Sequence, residues 1–160
     1  MKKILLVIAM AISISIYGQS IFINEIHYDN TRADVNEGIE IAGPAGTDLT
    51  GYKVRFYRST GDYPTTSSVL NLSGTLPNQQ NNMGVLWFNK SGIQNGSKDG
   101  MALVDNLGNV IQFISYEGVI TATEGVAIGM TSVDIGVFED ETTPSTYSLQ
   151  LVGSGSDVLS

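Results

Sequence analysis

The sequence predicts an all-β sandwich of about eight or nine short strands forming a single domain. Three observations carry that prediction. Apolar residues come in strand-length runs separated by turn residues, with no sustained helical period. Glycine is abundant, at 18 of 160 residues, and only 15% of residues are charged, a balance that suits turn-rich β structure better than helices. Turn signals recur roughly every 8–15 residues, the rhythm of a sandwich, and no longer repeat suggests a solenoid or propeller.

At 160 residues the chain has room for one domain plus a targeting segment. Met1-Lys2-Lys3 is a short positive start, and Ile4 to Ile16 is an unbroken run of apolar and small residues. Ser15 and Gly18 stand at the −3 and −1 positions of a cut before Gln19. Residues 1–18 therefore read as a secretory signal peptide, since the run is shorter than the roughly twenty residues a bilayer core needs. The mature chain, 19–160, is expected to be secreted or held at the cell surface.

The first strand is expected at Ile21 to Tyr28, followed by a loop from Asn30 to Asn36. A short second strand, Ile39 to Ile41, ends at Gly43-Pro44. Thr50 to Tyr57 alternates, with Val54 and Phe56 on one face and Lys53, Arg55 and Tyr57 on the other. That second face reads as a solvated outer surface, with a cationic ligand surface as the alternative. Ser59 to Ser68 is a loop, and Val69 to Leu72 is a strand. Met83 to Phe88 is the most apolar strand and carries Trp87, either a core or rim anchor or an exposed sugar-stacking ring. After a glycine-rich loop, Met101 to Asp105 and Val110 to Tyr116 form a hairpin across Asn106 to Asn109. Val126 to Gly129 and Val133 to Phe138 are weaker strand candidates, and Glu139-Asp140-Glu141 reads as a solvated acidic loop. Tyr147 to Val152 is the last clear strand. The remaining residues, Gly153 to Ser160, read as a turn and the start of another strand, as if the domain were truncated.

The inventory of reactive groups is short. There is no cysteine, which excludes disulfides, cysteine–zinc sites and cysteine nucleophiles. His27 is the only histidine, and no G-x-S-x-G elbow, phosphate-binding P-loop or G-x-G-x-x-G turn is present. Acidic pairs exist, but no motif singles out a glycosidase pair. With Lys2 and Lys3 set aside, six basic residues face sixteen acidic ones, a balance of −10. Such a surface repels phosphate backbones, so direct nucleic-acid binding is not expected.

The densest polar constellation is Glu25, His27, Asp29, Asp34, Glu37 and Glu40. Glu25 and His27 share a strand face, and Glu40 would lie across from them if the first two strands pair. Oxygen ligands at this density can bind calcium, although the sixth position of Asp29-Asn30-Thr31-Arg32-Ala33-Asp34 lacks the glycine of an EF-hand loop. The competing reading is that these side chains cap turns and hold the loop backbone.

Several segments together resemble the lamin-tail domain as it occurs in secreted bacterial proteins. They are Ile23 to Asn30, Glu37 to Gly43, Asp48 to Tyr52, Gln94 to Val104, Gln112 to Gly118 and Gly129 to Gly136, covering nearly all of the chain from Ile21 to Val152. The resemblance implies an immunoglobulin-like β-sandwich serving as a non-catalytic accessory module, with no catalytic residues or cofactor to carry over. Such a module would bind or attach within a larger secreted or surface protein, its partner an unidentified protein or surface glycan. The alternatives are the amino-terminal part of a secreted nuclease, phosphatase or other hydrolase, or a calcium-dependent adhesion domain. One departure is Gly38, where the family usually has an aromatic or bulky apolar residue; it suggests a looser start to the second strand.

Overall fold

The computed structural model describes residues 21–64 and 68–152. The signal peptide expected at 1–18 and the final segment, 153–160, lie outside the described residues. Nine strands are present among them: β1 (Phe22–His27), β2 (Gly38–Pro44), β3 (Lys53–Tyr57), β4 (Val69–Asn71), β5 (Met83–Asn89), β6 (Asp99–Val104), β7 (Val110–Tyr116), β8 (Val133–Asp134) and β9 (Leu149–Gln150). They form an immunoglobulin-like β-sandwich of two sheets, ordered β5-β2-β1-β9 and β4-β3-β6-β7-β8. Every pairing is antiparallel except that of β7 with β8. No helix among the described residues is long and apolar enough to cross a membrane.

The core lies between the sheets. Ile23 and Ile26 of β1 and Ile39 and Ile41 of β2 pack against Val54 and Phe56 of β3 and Met101 and Leu103 of β6. Each such side chain, fully buried, contributes about 1.5–3 kcal/mol. Strict alternation could not send both Ile23 and Ile26 inward, because they are three apart. The β1–β2 register shifts between Ile23 and Glu25, and this bulge lets both face the core. The Ile23 amide donates to Gln112 Oε1 of the other sheet at 2.8 Å.

Part of the outer face of the five-stranded sheet is covered: Tyr57 is buried, contrary to the expectation, while Lys53 and Arg55 stay half-buried. Tyr57, Ala102, Val104 and Phe113 form a second apolar cluster with Ile120, Ala122 and Ala127. The segment after β7 folds back over the sheet because it carries these small apolar residues. Arg55, the alternative cationic ligand, is stacked over the Tyr63 ring, 4.1 Å from its centroid. The expected strand at Val126 to Gly129 is instead a turn of 3₁₀ helix, Gly125–Ala127. The tyrosines explain it: Val126 N donates to Tyr63 Oη and Ala127 N to Tyr57 Oη, both at 3.1 Å.

The strand expected at Val133 to Phe138 stops after Asp134. The Asp134 carboxylate accepts from Gly136 N at 3.0 Å, and Gly136 has φ +72°, so the chain turns there. The last strand is likewise shorter than expected, pairing with β1 only at Leu149–Gln150. The start of β2 is the reverse of loose. A Cβ on Gly38 would sit 2.4 Å from Cζ2 of Trp87 and 2.5 Å from the Phe88 carbonyl oxygen. Only glycine lets the indole lie across this end of the strand.

Candidate functional site

The loops at the end of the sandwich beyond His27 hold most of the chain's buried polar chemistry. Its centre is Glu139, which the acidic run was expected to leave in solvent but which is only 2% exposed. His27 Nδ1 donates to Glu139 Oε1 at 2.8 Å, and the amides of Tyr28 and Asp29 donate to Oε2 at 2.6 and 3.1 Å. The Glu139 amide in turn donates to Tyr28 Oη at 2.8 Å. A carboxylate with several directional donors is a stable buried arrangement. It ties the segment before β9 to the end of β1. Tyr28 stacks on Tyr116 with ring centroids 4.0 Å apart, and burial pushes both phenols well above their usual range.

The six sequence candidates separate into four groups. Glu25 and His27 do share the outer face of β1, but Glu139 engages His27, which is 3% exposed. His27 Nε2 lies 3.1 Å from the Val35 carbonyl and 3.3 Å from Asn30 Nδ2. Glu37 turns away and accepts from the amides of Gly92 and Ile93 at 2.9 and 2.8 Å. Its role is to hold the loop after β5, as the turn-capping alternative anticipates. Asp29 and Asp34 do come together, in an open basin also lined by Arg32, Glu117, Asp140 and Glu141. Burial raises the Asp29 carboxyl, and the neighbouring Asp34 charge adds to the rise.

Glu25 and Glu40 form the remaining group, directly opposite one another on β1 and β2 as the sequence suggested. Glu40 Oε1 accepts from Asn24 Nδ2 at 2.7 Å, and Glu25 Oε1 accepts from the Ser148 hydroxyl. Burial pushes the Glu40 carboxyl up, the Asn24 bond pulls it back, and the Glu25 charge raises it further. Among the described residues no three histidine or acidic side chains converge as a metal-binding group. Compared with protein-family models, curated proteins and solved structures, the chain has no match.

These raised carboxyls fix a pH dependence. Asp99 is buried, accepts from Gly96 N at 3.0 Å, and is raised chiefly by burial, as are Asp29 and Glu40. Between its unfolded and its raised folded value, each of these three groups therefore holds more protons in the folded chain than in the unfolded one. Stability must fall as pH rises through that interval. Asp48, Asp62, Asp105 and Asp140 are lowered by hydrogen bonds, so the stability they contribute is lost as pH falls from the ordinary aspartate value through their folded values. Urea midpoints are expected to fall as pH rises through the range in which these three groups lose their protons, and Asp99→Asn should flatten that fall. A midpoint that rises steadily over that range would contradict the assignment.

Proposed function

We propose that the mature chain is a non-catalytic, exported β-sandwich module of lamin-tail type that mediates binding or attachment within a larger secreted or surface protein. The observation that carries this reading is the condition of His27. It is the chain's only histidine, it is buried, and Glu139 engages it as part of the joint between β1 and the segment before β9. At 3% exposure the imidazole is not open to a substrate as a general base, and its bond to Glu139 holds the fold. Other polar side chains do similar structural work: Glu37 holds the loop after β5, and Asp105 accepts from the amides of Leu107 and Asn109 in the β6–β7 turn. The leader-like first eighteen residues support export.

The test uses residues 19–160 against phosphodiester, phosphomonoester and glycoside substrates, together with fractionation of cells expressing the full chain. The expected result is no turnover above buffer, with the protein in the secreted or surface fraction. Robust turnover that disappears in Glu25→Gln, a half-exposed position where the fold should survive, would overturn the reading.

A further inference from the structure

We infer that the outer face of the four-stranded sheet is a platform for a polymer of amino sugars, built on Trp87, Glu40 and Glu25. This rests on the reading of the chain as a binding module and names its ligand class. The β-sheet register sets Gln150, Glu25, Glu40 and Trp87 in one row across β9, β1, β2 and β5. Their strand neighbours Ile26, Ile39 and Ile41 belong to the core cluster, and Leu149, Leu86 and Phe88 pack against it, so the row faces outward. Three strand spacings of about 4.8 Å make it about 14 Å long, the scale of an oligosaccharide rather than a single ring.

Trp87 is held in place before any ligand arrives. Its ring lies over Gly38, and its Nε1 donates to Asn89 Oδ1 at 2.8 Å, while the residue remains 38% exposed. An indole fixed in this way offers a flat apolar surface at little entropic cost on binding. Beside it stand two carboxylates in direct cross-strand opposition, an arrangement that destabilises a sheet when nothing neutralises it. Among the described residues neither has a basic side chain within 4.0 Å. Each accepts one hydrogen bond through Oε1, from Asn24 or Ser148, and no described side chain donates to either second oxygen.

The charge complement of this row is a cation that also presents an apolar face to an indole and hydroxyls to amides. Calcium suits it poorly, since it needs about six to eight oxygens and the row supplies two carboxylates. An amino sugar supplies all three features: an ammonium for Glu25 and Glu40, C–H groups for Trp87, and hydroxyls for Asn24, Asn89 and Gln150. A lysine side chain supplies only the ammonium and its stem.

The test is nitrogen-15 NMR of residues 19–160 titrated with a β-1,4-linked glucosamine hexamer, its N-acetylated counterpart and hexalysine. The glucosamine hexamer should shift the Trp87 indole N–H and the Glu25 and Glu40 amides, more weakly as salt is raised. Glu40→Gln should weaken binding about tenfold while leaving the melting temperature unchanged or higher, because it removes a like-charge pair. The N-acetylated hexamer should bind about tenfold more weakly than the amine form. No shift at the indole, or equal affinity for the N-acetylated hexamer or for hexalysine, would overturn the assignment. If binding is absent and nothing is turned over, the platform fails and the non-catalytic reading stands. Shortening of the hexamer alongside the same shifts would support the platform and overturn the non-catalytic reading.

Discussion

Glu139→Ala is expected to lower the stability of residues 19–160 by about 3–5 kcal/mol, the cost of removing one partner from a buried charged network. The side chain accepts three hydrogen bonds, from His27 Nδ1 and from the amides of Tyr28 and Asp29. Alanine leaves the first two donors buried without an acceptor, at about 1–3 kcal/mol each. Packing is lost as well, because Glu139 is among the largest fully buried side chains. Urea unfolding followed by tryptophan fluorescence reads the change directly. A double-mutant cycle with His27→Ala separates the pair from the rest, and a coupling of roughly 0.5–3 kcal/mol is expected for two residues in one network. If Glu139→Ala stays within about 0.5 kcal/mol of the parent, the behaviour of an ordinary surface site, the joint between β1 and the segment before β9 is not what holds this end closed.

The sequence conceals Glu139 for a physical reason. Hydrophobic pattern reports which face of a local element is buried, and an acidic run beside a proline reads as solvated by that measure. The partners of Glu139 are 110 to 112 residues away, so its burial is a property of the closed sandwich and not of its own neighbourhood. Where an apolar run of strand length stands between turn residues, as in β2, β3, β6 and β7, the residues alone locate the elements. The same holds for the Glu25–Glu40 opposition, which needs only the assumption that β1 and β2 pair. The pattern is silent where side chains from elsewhere override it. Tyr57 and Tyr63 turn Val126–Ala127 from an extended segment into a 3₁₀ turn, and a bulge at Asn24 resets the alternation of β1. Of the candidate site, composition suggests all six polar residues but cannot sort them. Glu37 and His27 resemble ligands in sequence, yet their partners are backbone amides and a distant carboxylate.

Gly38→Phe, which introduces the kind of side chain the lamin-tail resemblance leads one to expect, should cost about 3 kcal/mol and open the first pairs of the β2–β5 ladder. The glycine is not required for backbone conformation, because its φ is not among the positive values. It is required for space, and the two obstacles differ in kind. Cζ2 of Trp87, 2.4 Å from an added Cβ, belongs to a half-exposed side chain that could swing outward. The Phe88 carbonyl oxygen, at 2.5 Å, belongs to the neighbouring strand and moves only with the ladder. Gly38→Ala therefore already carries most of the penalty, and Gly38→Ala combined with Trp87→Ala should recover only the smaller, indole part. Displacement of the indole should shift tryptophan emission to the red in Gly38→Ala, since the ring loses its contact with the sheet. The same displacement should weaken glucosamine-hexamer binding, because the aromatic surface would no longer stand in register with Glu40. A Gly38→Ala chain with unchanged emission and stability within about 0.5 kcal/mol of the parent would show that the close approach of Trp87 to β2 does not exist in solution. The preset aromatic surface of the platform would then be lost with it.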